Sequence, residues 1–259
     1  MSNTRKEDKV GGAVTLIRGI DPWLATEMAS KARLAFDKNC EDVDRLLEVH
    51  VSLTGTAPGR RRQVEVLNKA GVVLITAFWE AYCEDIAAEG ARHLVKHAKS
   101  ANDLPEHLKK LVAKELSDQK HDLAAWQLAD NGWRTFIEAR LASIEAERNR
   151  RLNTPKTSQI DELFARSLGI EQMSKSWAWP RNPATKTAAK LDAFVTLRGS
   201  VAHRGTAAGG VKKKDVVDYY TLVKKLVSLT GGKVNGSVRK STGKPLWEPR
   251  KRASTVPAT

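Results

Sequence analysis

The sequence predicts an all-α protein, an antiparallel helical bundle with helical decorations, and three observations carry that expectation. Apolar residues recur at helical spacing through most of the chain. Alternating β-branched runs bounded by hairpin dipeptides are missing, as is any internal repeat. Short Gly-, Pro- and Asn-bearing breaks separate the long periodic stretches, and long helices joined by short loops fold back on their neighbours.

The elements follow in order. Between Asp21 and Leu53, after "DPW", Leu34, Val43, Leu46, Leu47 and Val49 recur among charges as one amphipathic helix, which "TGTAPG" (54–59) stops. Residues 61–98 contain no proline and carry Val64, Leu67, Val72, Ile75, Phe78, Tyr82 and Ile86 near helical spacing. The middle of this stretch is apolar all round, which predicts the buried central helix. Helical patterns run from Pro105 to Ala129 and from Trp133 to Arg148, divided at "DNG" (130–132), where Gly is read as a helix stop and Asn or Asp as an N-cap.

"NRRLNTPKTS" (149–158) reads as a loop, and "QIDELFARSLGI" (159–170) as a short amphipathic helix. A Trp- and Pro-bearing loop, "SKSWAWPRNPATK" (174–186), precedes a helix from Ala184 into "LRGSVAHRG" (197–205). The last helix is "KKKDVVDYYTLVKKLVSL" (212–229), with Val216, Tyr219, Tyr220, Val223 and Val227 facing inward.

At 259 residues the chain suits one or two domains with a full core. Its 44 Lys plus Arg against 30 Asp plus Glu leave a net charge of +14, which favours nucleic acid or an acidic partner protein. Part of the excess lies in residues 231–259, rich in Gly, Ser, Thr and Pro, which read as a disordered basic tail, either a solubilising one or, through Trp247, a docking peptide. The expected division is a flexible segment at 1–22, a helical domain at 23–230 and the tail at 231–259.

Two cysteines, Cys40 and Cys83, form no C-x-x-C pair, and "MSNTRKEDKV" lacks the apolar region of a secretory signal. A cytoplasmic, reduced protein is expected. The longest apolar run, "AGVVLITAFW" (70–79), falls well short of the roughly 20 residues that span a bilayer.

Arg198 and His203 within "LRGSVAHRG" suit chemistry on RNA. An imidazole with a pKa of about 6.5 can move the 2′-hydroxyl or leaving-group proton. A guanidinium pairs with phosphate oxygens and stabilises the charge added in the transition state, and this scheme calls for no cofactor. The spacing alone is uninformative, because Arg45 with His50 and Arg92 with His97 repeat it. A five-residue step on a straight helix turns about 500°, roughly 140° off one face. The third copy differs in context. Gly199, Gly205 and "GTAAGG" (205–210) surround it, so a helix end is expected to bend both groups inward.

Several segments taken in order resemble the HEPN superfamily, and within it the RiboL-PSP and MAE-type branch. They are "VLITAFWEAYCEDI" (73–86), "LNTPK" (152–156), "IDELFARSLGI" (160–170), the loop bearing Trp177 and Trp179, and "LRGSVAHRG", together covering about residues 30 to 229. The resemblance implies a HEPN-like bundle and a metal-independent endoribonuclease that works as a homodimer. Arg198 would bind phosphate and stabilise charge, His203 would be the acid or base, and two motifs would face each other across a two-fold axis. It also implies a toxin or antiphage defence effector, with an antitoxin or defence-system partner. Where the family motif usually carries a polar residue after the arginine, this chain has Gly199.

Other residues have two readings each. Glu80 can orient the active-site arginine or be an ordinary structural carboxylate. Asn153 can sit near the site or cap the turn before Pro155. Lys212, Lys213 and Lys214, with Arg204, would add positive potential beside a bound strand, or form the solvated edge of a helix. Trp177 and Trp179 can stack RNA bases or pin their loop to the core. Glu89, His93 and His97 share a helix face but lack a third His or Cys ligand, so no metal is expected there. Rival readings of the chain are a catalytically inactive HEPN module binding RNA or a partner protein, and a helical adaptor with a basic tail.

Overall fold

The computed structural model describes residues 29–54, 64–119, 123–151, 154–205 and 210–248, with the side chains of residues 147–151 left aside. Among them are seven α-helices: α1 (Lys31–Thr54), α2 (Glu65–His97), α3 (Glu106–Asp118), α4 (Gly132–Arg151), α5 (Thr157–Leu168), α6 (Ala184–Arg204) and α7 (Lys213–Thr242). Three 3₁₀ turns interrupt the connections, at Ala101–Asp103, Ala124–Leu128 and Met173–Ser176. The described residues contain no strand, only a bridge between Trp179 and Asn182.

The apolar stretch that predicted a buried central helix is α2, which packs against α1, α4, α5, α6 and α7. Val72, Ile75, Trp79, Tyr82, Cys83 and Ile86 are all buried along it. Trp79 meets Trp177 edge-on at 5.8 Å, and Phe36 of α1 meets Tyr82 edge-on at 5.7 Å, the geometry that aromatic quadrupoles favour. The Tyr82 hydroxyl donates to the Val227 carbonyl at 2.9 Å, so even this deep polar atom is satisfied. A second cluster, with Val95, Leu108, Val112, Leu116, Trp133 and Ile137, fills the far end between α2, α3 and α4.

Helix ends are tied by side chains from elsewhere in the chain. Both Glu89 oxygens accept from the first amides of α1, Lys31 and Ala32, at 3.1 Å each. Asp192 of α6 accepts from the Thr157 amide at 2.8 Å and so caps α5. Gly169 ends α5 in the left-handed conformation, φ 67°, and the Ile170 amide then reaches the Phe164 carbonyl at 3.1 Å.

Three expectations need correction. The pattern from Pro105 to Ala129 is two elements, α3 and a 3₁₀ turn, and at "DNG" it is Asp130 that takes positive φ (51°) while Gly132 begins α4. Within the loop expected at 149–158, α4 continues to Arg151 and α5 begins at Thr157. The tail expected from 231 is ordered to 248: α7 continues to Thr242 because Val234 and Val238, one turn apart, are buried in the core. Beyond it Asn235 accepts from the Leu246 amide at 2.7 Å and donates to the Trp247 carbonyl at 3.0 Å, laying a half-buried Trp247 on the core. Residues 1–28 and 249–259 lie outside the described residues.

Candidate functional site

The motif helix α6 buries Thr187, Leu191, Val195 and Val201, and this stripe holds it against the bundle. One turn before Arg198, Phe194 stacks on Tyr219 of α7, with ring centroids 4.5 Å apart and planes 14° from parallel. Tyr219 shares a 3.0 Å hydrogen bond with Thr76 of α2, so one phenol joins α2, α6 and α7.

Arg198 is half-buried and its Nε is shielded from solvent. Burial pushes the Tyr219 hydroxyl well above the ordinary phenol range; the bond from Thr76 and the positive charge of Arg198 pull it down, while Cys83 and Glu80 push it up. The charges of Glu80 and Arg198 thus bear on the same phenol with opposite sign.

His203 is exposed on the last turn of α6. The helix closes at Gly205, φ 64°, whose amide donates to the Val201 carbonyl at 3.0 Å. The inward bend expected at this end does not occur, because α6 is continuous to Arg204. Five residues of regular helix turn His203 about 140° away from Arg198. One chain thus presents a guanidinium on its inner flank and an imidazole on its outer one.

Two residues that the sequence did not single out fasten this helix end. Lys69 donates to the Gly205 carbonyl at 2.8 Å and pairs with Glu65 at 3.2 Å. Asn68 donates to the Val211 carbonyl at 2.9 Å. The first turns of α2 therefore hold both ends of the link from α6 to α7. The Glu65–Lys69 pair was readable as an i, i+4 contact, but nothing local announces its partner 136 residues away.

Of the remaining candidates, Arg204 and Lys212 are exposed and Lys213 is half-buried. Lys214 is exposed and bound to Asp218, which offsets its charge locally. Asn153 lies outside the described residues. Trp177 is corrected: it is fully buried, and its indole donates to Thr230 at 2.9 Å, so it has no face for a base.

The repeats of the Arg/His spacing go to structural uses. His50 is buried beside Thr54, and Arg92 pairs with Glu145. Glu89 caps α1, and His93 bonds the Lys244 carbonyl at 3.0 Å with His97 beside it. No group of three or more His, Cys, Asp or Glu among the described residues is placed to hold a metal ion.

The sequence profile of the RiboL-PSP-HEPN family matches residues 38–235, most of the chain, from within α1 to within α7. The chain is a RiboL-PSP-type HEPN protein. The match runs past the expected tail boundary at 231, in agreement with the extended α7. No curated protein and no solved structure matches the chain. HEPN membership points to a nuclease or RNA-binding role, in domains that are RNA-related and often dimeric. Among the described residues no helix is long and apolar enough to cross a membrane.

Proposed function

We propose that this HEPN protein is a metal-independent endoribonuclease acting as a homodimer, in the role of a toxin or antiphage effector. The observation that carries the reading is the division of the motif: Arg198 half-buried one turn after the Phe194 that stacks on Tyr219, His203 exposed five residues on. Two copies of the helix end brought together would complement each other, one supplying the guanidinium and the other the imidazole.

In the proposed reaction the 2′-oxygen attacks the adjacent phosphorus as the bond to the 5′-oxygen breaks. His203 takes the 2′-hydroxyl proton or delivers one to the leaving 5′-oxygen, and Arg198 stabilises the charge gathered on the phosphate oxygens. The products are a 2′,3′-cyclic phosphate, or the 3′-phosphate from its hydrolysis, and a 5′-hydroxyl. Glu80 and Tyr219 act as positioning residues for Arg198.

The test is cleavage of total RNA in excess EDTA. His203→Ala should lose roughly 10²–10⁴-fold in rate, Arg198→Ala should lose comparably, and His97→Ala should not. Cleavage surviving both motif variants would overturn the assignment. RNA binding without cleavage in the unaltered protein would instead establish a binding module, the reading favoured by the absence of a side chain at Gly199.

A further inference from the structure

We infer that the turn before α6, together with the adjoining flanks of α6 and α7, is a track that holds single-stranded RNA and leads it toward the motif. The inference rests on the RNA-directed reading above and adds the surface that would grip the substrate.

The turn Trp179–Asn182 is closed by two backbone bonds, Trp179 N–H to the Asn182 carbonyl at 3.1 Å and the reverse at 2.8 Å. Inside it Arg181 takes φ 66°, the left-handed region that a Cβ disfavours and that Gly or Asn occupies at less cost. An exposed arginine is a poor choice for such a position on conformational grounds, and strain of this kind collects where a side chain has a task.

The neighbours supply the rest of a binding surface. Lys225 of α7 sits over the ring of half-buried Trp179, 6.0 Å from its centroid. Lys186 and Lys190 are exposed one turn apart at the start of α6. Lys190 lies one turn before Phe194, which stacks on Tyr219, and so borders the seam between α6 and α7. Lys175 projects from the 3₁₀ turn that packs on both helices.

Asp161 is taken up by the Ser174 amide and hydroxyl at 2.7 Å each, Asp192 by Thr157, and Asp218 by Lys214. Among the described residues none of these five cations has an ion-pair partner. Along α6 the eight residues from Lys190 to Arg198 rise about 12 Å. Cations spaced beside an aromatic ring, running toward a phosphate-binding arginine, fit a flexible single strand better than a compact anion.

The experiment measures binding of a fluorescein-labelled single-stranded RNA by anisotropy over a salt series. The full chain carries His203→Ala, in EDTA, so that cleavage does not enter. Lys186→Ala/Lys190→Ala/Lys225→Ala should lower the slope of log affinity against log salt by about two, at roughly 0.7 per phosphate contact. A control, Lys38→Ala/Lys99→Ala/Lys114→Ala, should leave the slope unchanged. Arg181→Gly should weaken binding while leaving Tm equal or higher, which a structural arginine would not do.

Equal losses from the control triple, an unchanged slope in the track triple, or equal competition by polyglutamate would each overturn the inference. If cleavage proves independent of His203 while the track variants still lose RNA, the nuclease assignment fails and the track stands. If cleavage needs His203 but the track triple binds like its parent, the track fails and the assignment stands.

Discussion

The ammonium of Lys69 donates to the carbonyl of Gly205 across 2.8 Å, joining the start of the central helix to the last residue of "LRGSVAHRG". Gly205 is the left-handed end of α6, and His203 stands two residues before it. The bond from Lys69 therefore ties the end of the motif helix, two residues beyond His203, to α2.

Lys69→Met should consequently act on the site as well as on the fold. Removing one charge-assisted bond from a partly exposed lysine is expected to cost about 1 kcal/mol in urea unfolding. A loosened helix end should also slow RNA cleavage roughly tenfold, because small misplacements of a catalytic group are expensive. Lys69→Arg, which keeps the donor, should recover most of both. Unaltered cleavage in Lys69→Met would show that the tie serves stability alone.

Gly199 offers a cleaner gain-of-function test. A Cβ added there meets nothing within 4 Å, so Gly199→Asn starts from open space at the branch point. Replacing a mid-helix glycine should leave stability equal or raise it by some tenths of a kcal/mol. It also restores a polar group beside Arg198, and faster cleavage is expected. A folded Gly199→Asn protein that cleaves no better would show that the small residue does not limit the site.

Trp177→Ala should cost about 3–5 kcal/mol, the range for emptying a large aromatic site. The indole packs edge-on against Trp79 and satisfies Thr230, so the variant leaves both a cavity and an unsatisfied hydroxyl. Unfolding midpoints in urea provide the measurement. Loss of RNA binding with stability intact would restore Trp177 as a base-stacking residue.

The His93–His97 pair predicts sensitivity to acid. Burial lowers the basicity of both rings; the Lys244 carbonyl bond partly restores it in His93, while His93 and the lysines Lys96 and Lys244 lower His97 further. In the unfolded chain both titrate near 6.5, so between the folded and unfolded values the unfolded state binds more protons. The stability linked to this pair is complete above about pH 6.5 and is lost as pH falls through the lower folded values. Tm should drop between pH 7 and pH 5, and His93→Gln/His97→Gln should flatten that drop. An unchanged slope in the double variant would assign acid sensitivity elsewhere.

How far the sequence carried depends on the range over which each feature acts. The elements α1, α2, α5 and α6 were legible because periodicity and end signals operate within a turn or two. Lys69 and Asn68 were not, since their partners Gly205 and Val211 lie 136 and 143 residues on. Tyr219 was legible as an inward residue, but its bond with Thr76 and its stack on Phe194 depend on three helices meeting.

The expected tail illustrates the same limit. Gly231, Gly232, Gly236 and several lysines give the end of α7 a composition that reads as unstructured. Val234 and Val238 nonetheless lie buried in the core, and a Cβ added at Gly90 of α2 would come within 2.9 Å of Val234, so that glycine leaves the two helices room to approach. Propensity is a weak local preference that packing overrides.

By itself the sequence determined the helical class, the buried central helix, the family resemblance and the motif that ends at Gly205. These depend on spacing and on residue types close together in the chain. Only the tertiary structure decided that Trp177 is core while Trp179 lies beside Lys225, and that Arg198 is half-buried while His203 is exposed. Burial is settled by which distant surfaces meet, and an irregular loop or a charged helix face carries no periodic record of that meeting.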